Sequence, residues 1–316
     1  MLYLNILLAS RLLPLRSPPM VQPTPFDRLL EDVGKQANQD AAGAFARLDE
    51  LHGKSLTADD VLKLGAFAVH LGCSALGRFA ETEAFQRKLL GHPGIANHIP
   101  TRKSLWRGLA VVLRVAGRTV DADHAISEGV STDAERARLE VLSAQTFAAR
   151  SRFPEAAAAL RLAEPLLKGL PPNEDILTQA ALIATNLARA AESQLKPVLG
   201  LLDAATAALL AANAHQDWRR RHQALFHRGR GHLLSGEPSK ALSVVQELMA
   251  MEDANSAGAM ERFFTASLAC RCQVLRGQKK VAAAAFEAAQ DYARRTSNDA
   301  NVQKVLADLE ATIARG

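Results

Sequence analysis

The sequence predicts an all-α fold: about seven antiparallel helical hairpins followed by one C-terminal capping helix. Three observations point there. Ala and Leu dominate a chain in which 48% of residues are apolar and only 5% aromatic, a mixture that favours helices over sheets. At 316 residues the chain is about twice the usual single-domain length, which suits two domains or one elongated array. Short breaks also recur at a steady interval, as in HLLSGEPSKALSVVQELM, His232 to Met249, which reads helix, break, helix.

Measured from Gly236 in that stretch, Gly229 stands seven residues before, Ala241 five after and Val245 nine after. The same offsets give Cys270, Ala282 and Phe286 around Gly277; Ala110, Ala122 and Ile126 around Gly117; and Ala144, Ala156 and Leu160 around Ser151. A small residue before the turn lets paired helices approach closely. The Ala after it is where the second helix crosses the first, and the bulky residue fills the next layer. Weaker copies surround Gln36 (Leu29, Ala41, Phe45), Gly77 (His70, Thr82, Gln86) and Ser193 (Asn186, Val198, Leu202). Successive markers lie 41, 40, 34, 42, 43 and 41 residues apart. Such a period is the signature of a helical-hairpin solenoid, with an irregular helical bundle as the alternative.

The elements run in order from a leader. Residues 1–25, beginning MLYLNILLASRLLPLRSPPM, carry an apolar run that is broken by Asn5 and ends at Arg11. No basic residue precedes the run, no small-x-small cleavage site comes after it, and it is too short to span a bilayer. The segment reads as a disordered leader or a misassigned start, with Met20 as the alternative beginning; a weak export signal and a packed segment are the other readings. Its Pro-rich exit breaks any helix before the first hairpin, near Phe26. Residues 26–298 then form the array. Within it, Thr57 of SLTADD caps a helix with acids in its first turn, and Pro238 sits just inside a helix start. In GLPPNED, Pro171 and Pro172 separate two hairpins ahead of an Asn cap. Residues 299–316, within TSNDANVQKVLADLEATIARG, supply the amphipathic helix that covers the open apolar end.

At Trp106, Leu109 and Ala110, then Gly117 and Ala122, the chain resembles the tetratricopeptide repeat family, with Ser151 coming after Gly117 by that family's standard period. The copies spaced near 42 residues are similar to the longer repeats of bacterial regulator domains and kinesin light chains. The resemblance covers roughly residues 26 to 314. It implies a right-handed superhelix of hairpins, a TPR-like α-solenoid, whose concave groove is lined by the first helix of each hairpin and binds protein segments. The paired Lys/Asn clamp with which related domains grip chaperone C-termini has no counterpart, since the corresponding helices carry Arg, Val, Gln and Ala.

Counting from each marker, the residues at minus thirteen, ten, six and three recur at helical spacing and are expected to face that groove. Across seven units they hold five arginines and no Asp or Glu. The expected groove residues are Arg107, Arg114, Arg138, Gln145, Gln223, Phe226, Arg230, Phe264 and Arg271. Arg meets a carboxylate with a planar fork, and Phe226 and Phe264 could receive an apolar side chain. The bland reading is that these arginines solvate an exposed face.

Signals for catalysis or metal binding are weak. His222, His227 and His232 are spaced by five, which spreads them around a helix, and His92 with His98 lacks a third ligand. GHLLSGEPSK has Glu237 and Pro238 where a phosphate loop needs Lys and Ser or Thr. Cys73, Cys270 and Cys272 show no zinc spacing or disulfide framework and fit a reduced, cytoplasmic setting, with Cys270 as a core thiol. WRRRH, Trp218 to His222, reads as a solvated helix surface outside the groove, with a nucleic-acid patch as the alternative because an aromatic sits beside three arginines. The net charge of +5 permits attraction to acidic partners without establishing nucleic-acid binding. The expectation is a noncatalytic, cytoplasmic scaffold without cofactor or metal that binds an acidic or amphipathic segment of another protein, with neither nucleic acid nor membrane as partner. A regulatory module responding to a small anionic ligand or peptide is the alternative.

Overall fold

The computed structural model describes residues 24–194, 198–214, 218–296 and 299–315. Readings that concern residues 1–23 lie outside the described residues. Among the described residues the chain is all-helical, with fifteen α-helices packed in adjacent pairs. The first seven helices are α1 Pro25–Ala37, α2 Ala41–His52, α3 Ala58–Ala68, α4 Phe79–Leu90, α5 Ile99–Val115, α6 Thr119–Gly129 and α7 Asp133–Ala149. Next come α8 Phe153–Gly169, α9 Asp175–Glu192, α10 Leu199–Ala212 and α11 Trp218–Leu234. The last are α12 Pro238–Ala254, α13 Ala259–Leu275, α14 Lys279–Arg294 and α15 Ala300–Arg315. Seven consecutive pairs and one final helix thus match the expected hairpins and cap in number. By contact pattern the chain divides into two compact units, residues 1–159 and 160–316, each with its own apolar core.

The hairpin turns are set by backbone handedness. Gly77, Gly117, Gly236 and Gly277 all have φ between 69° and 82°, and Ser151 joins them at 57°. Five of the seven markers therefore sit in the left-handed conformation that ends a helix and reverses the chain, which Gly adopts without a Cβ penalty. The crossing alanines Ala122, Ala156, Ala241 and Ala282 are all buried, as are Ala110, Ala144, Gly229 and Cys270 before the turns. At Gly229 a Cβ would lie 2.5 Å from Leu268 Cδ2 and 3.4 Å from Val244 Cγ1, so α11 meets both α12 and α13 there only because the residue is Gly.

Two markers behave differently. Gln36 lies inside α1, and the first turn falls later, where Asp40 accepts from the Gly43 amide at 2.9 Å and starts α2. Ser193 ends α9 with φ −83°, in the right-handed region. In the second hairpin, α3 continues as a π-helical segment, Val69–Leu76. This widening makes Gly72, not His70, the close-approach residue: a Cβ on Gly72 would fall 2.0 Å from Thr82 Oγ1.

The caps reflect the local chemistry. Thr57 and Asp60 form a reciprocal capping box at α3, as Thr24 and Asp27 do at α1, and Pro238 occupies the first turn of α12. The Asn cap expected in GLPPNED is corrected: α9 starts at Asp175, with Glu174 as its N-cap and no side-chain cap bond. Four hairpin turns instead carry an ion-pair clip between the residue just after the marker and the residue three further on. These are Arg78–Glu81 at 3.2 Å, Arg118–Asp121 at 2.6 Å, Arg152–Glu155 at 2.9 Å and, with signs reversed, Glu237–Lys240 at 2.6 Å.

Two substitutions test this register. Gly117→Ala meets no neighbouring atom, so its expected cost of about 1 kcal/mol comes from left-handed backbone alone, whereas Ser151→Gly should be neutral or stabilising. Ala241→Leu should overpack a fully buried crossing and cost about 1–3 kcal/mol in denaturant unfolding. Unchanged midpoints for Gly117→Ala and Ala241→Leu would contradict the register.

Candidate functional site

In the unit of residues 160–316, the first helices of the last three hairpins and the final helix surround one open concavity of about 650 Å³. Arg189 comes from α9; Arg219, His222, Gln223, Phe226, His227 and Arg230 from α11; Met260, Glu261 and Phe264 from α13; and Asn301 from α15. The α11 set is a product of helix geometry, because residues three and four apart share a face. Phe226 and Phe264 meet edge to face, with ring centroids 5.5 Å apart, and form an apolar floor with Met260.

Carboxylates hold most of the surrounding polar side chains. Arg230 Nη2 lies 3.0 Å from Glu192 Oε2, and His227 Nδ1 lies 3.4 Å from the other oxygen of the same buried carboxylate. Arg219 pairs with Glu261 at 3.0 Å and stacks over Trp218 at 5.0 Å from the ring centroid. On the α11 side of the lining, His222 Nε2 stands 2.7 Å from Glu252 Oε1, and the Thr265 hydroxyl donates to the same oxygen. Because Thr265 gives its proton to the carboxylate, the three buried side chains form a satisfied knot that anchors α11, α12 and α13. Arg189 differs: it is exposed, and among the described residues no hydrogen bond or ion pair engages its guanidinium.

The structure brings four of the expected groove residues, Gln223, Phe226, Arg230 and Phe264, to this concavity. Arg271 lies nearby, half-buried, its pKa held below the ordinary value by burial and then by the neighbouring Arg230 charge. Arg107, Arg114, Arg138 and Gln145 belong to the other unit.

Their placement corrects the expectation of an exposed arginine wall. Arg107 is only 7% exposed, donates to the Gly129 carbonyl at 2.9 Å and to Ser104 Oγ at 2.6 Å, and pairs with Glu135 at 2.7 Å. Arg114 Nη1 lies 2.8 Å from Oε2 of Glu140, a fully buried carboxylate that Arg136 also approaches at 2.9 Å. Arg138 and Gln145 are half-buried. The physical reason is that the chosen offsets mark the stripe by which first helices pack on their neighbours: Leu64, Phe67, Leu71, Val111, Val141, Ala180, Ile183 and Leu187 occupy them and are buried. At the last two hairpins that stripe opens onto the concavity.

Sequence reasoning missed Arg189, which stands four residues before its marker and so off every chosen offset. It also placed Arg219 outside the groove, although the residue lies one helical turn before Gln223 on the same face. Met260, Glu261 and Asn301 carried no signal because α13 and α15 contribute through their helix starts, ahead of the chosen offsets. The remaining motifs are local. His92 and His98 accept from nearby backbone amides, Gly94 at 3.1 Å and Thr101 at 3.4 Å, without converging. Burial pushes the Cys73 thiol up to about 12 and the Cys272 thiol up to about 11, and Cys270 is fully buried.

No protein-family model matches the chain, and no curated protein is similar to it.

Arg107→Ala should cost about 2–3 kcal/mol of stability, because it leaves the buried Gly129 carbonyl and Oε1 of Glu135 without their charged donor, although Ser131 still holds the other carboxylate oxygen. Arg138→Ala, without such partners, should cost well under that in the same unfolding experiment. Equal costs would contradict the assigned roles.

Proposed function

We propose that the chain is a noncatalytic helical-repeat module, tetratricopeptide-like in its hairpins, that binds a segment of another protein in the concavity of residues 160–316. The segment carries a carboxylate next to an aromatic or large apolar side chain. One observation carries this reading: Arg189, Arg219 and Arg230 ring an apolar floor of Phe226, Phe264 and Met260. Glu192 and Glu261 hold two of these guanidinium groups in position at its rim, and Arg189 faces solvent. Recognition is preorganised, with side chains from several rigid helices and no chemistry. Three buried, protonated thiols accord with a reducing, cytoplasmic setting.

A second reading, a regulatory module for a small anionic ligand, has one observation in its favour: the cavity volume falls in the range of small-molecule sites. A thermal-shift screen of metabolites separates the two, since a small ligand raises the melting temperature without a protein partner.

Arg189→Glu is the direct test, because the residue is exposed and, among the described residues, unpaired, unlike Arg230, whose removal also leaves Glu192 with only its longer contact to His227. Against a partner recovered by pull-down and measured by calorimetry, it should weaken binding by roughly 1–3 kcal/mol while leaving the melting temperature unchanged. Lys168→Glu, the same charge change at an exposed site outside the concavity, should have little effect. Equal losses from both would mean nonspecific attraction and would sink the reading.

A further inference from the structure

The last hairpin turn breaks a rule that the other four left-handed hairpin turns obey. At Gly77, Gly117, Ser151 and Gly236, the residue after the marker and the one three further on form an ion pair. At Gly277 these positions hold Gln278 and Val281, so no clip forms. Val281 is 48% exposed, and Leu275, two residues before the marker, is 59% exposed. Between them stand Arg276, Lys279 and Lys280, all exposed and without an ion pair among the described residues.

The neighbouring hairpins extend this patch along one edge. Short connections join α9 to α10, α11 to α12 and α13 to α14, so the ends of the first helices and the starts of the second share one side of the unit. Leu234, at the position equivalent to Leu275, is 41% exposed, and Leu199 at the start of α10 is 39% exposed. Among the described residues, half of the eight exposed large apolar side chains thus lie on this edge, although each costs free energy in water. In the third hairpin the equivalent residue, Val115, is buried.

We infer that this edge, centred on Leu275–Val281, is a docking surface for an anionic lipid bilayer. The unpaired cations call for a negatively charged partner, at about fivefold in affinity for each Lys or Arg brought to an anionic membrane surface. Leu234, Leu275 and Val281 are exposed at tight left-handed turns, and among the described residues none of them lines the concavity, so they present tips rather than a cleft to a partner. A bilayer interface accepts such tips between its headgroups while the cations remain at headgroup level. The contact is peripheral: no helix among the described residues is long and apolar enough to cross a membrane. It departs from the sequence expectation of no membrane partner and does not depend on the concavity.

The test is co-sedimentation of the full chain with phosphatidylcholine vesicles, with and without a minority of phosphatidylserine. Binding should require phosphatidylserine and weaken with salt. Removing all three cations as Arg276→Gln/Lys279→Gln/Lys280→Gln should lower the partition coefficient roughly a hundredfold. Leu275→Asp/Val281→Asp should bring binding to the neutral-vesicle level. Lys168→Gln, a cation at the opposite edge, should leave it within about twofold of the parent. All these side chains are exposed, so melting temperatures should hold, and the glutamine variant keeps the test decisive if the aspartate pair destabilises the fold. The inference is overturned if neutral and anionic vesicles bind alike, or if vesicle binding survives the edge substitutions, as association through residues 1–23 would. Loss of an acidic protein partner in these variants, without any vesicle binding by the parent, would likewise overturn it.

Discussion

The structure depends on a backbone constraint: a single left-handed residue ends the first helix of a hairpin and sends the chain back against it. Once φ is positive at Gly77, Gly117, Ser151, Gly236 or Gly277, the second helix runs antiparallel at a fixed offset, and the positions of closest approach are determined. Small residues must then stand before and after the turn, as Ala110 with Ala122 and Gly229 with Ala241 do, because helices this close leave no room for a branched side chain. The cores fill around those contacts with Leu, Val and Phe. Where the turn chemistry changes, so does the local geometry: the first hairpin turns at an Asp cap, and the second relies on π-helical widening at Gly72.

Close packing leaves a second problem, the polar groups trapped between hairpins. Glu140, Glu192 and Glu252 are carboxylates placed where water is scarce, and each is met by Arg or His from another helix. Burying a charge is costly unless it is paired and hydrogen-bonded, so these contacts fix which helices are neighbours more than they add stability. Around the concavity the same device has another effect. Glu192 and Glu261 draw Arg230 and Arg219 into place, while Arg189 stays open to solvent, so the wall carries positive potential over a floor of aromatic rings.

The turn register was legible in the sequence because left-handed backbone selects Gly, and a repeated Gly at a steady spacing is a visible signal. Ser151 shows the use of the period itself, since residue type alone would not mark it. The candidate site was only partly legible. Phe226, Arg230 and Phe264 emerged from helical spacing, but the same spacing selected Arg107, which is interior. Periodicity reports which face a residue occupies, not whether a neighbouring helix covers that face. Pairing was invisible for a related reason: Arg114 meets Glu140 across 26 residues, and His222 meets Glu252 across 30. Such partners belong to different elements, where no local pattern connects them.

The central claim is that the concavity of the second unit is where another protein is recognised. Photo-crosslinking tests it most directly, with benzoylphenylalanine placed in turn at Phe226, at Phe264 and at Glu247, an exposed position on α12 outside the concavity. Irradiation in native lysate should yield the same discrete adduct from positions 226 and 264, none from 247, and far less when Arg189→Glu is added. Adducts of similar yield at all three positions, or none at 226 and 264 beside a strong one at 247, would contradict the claim.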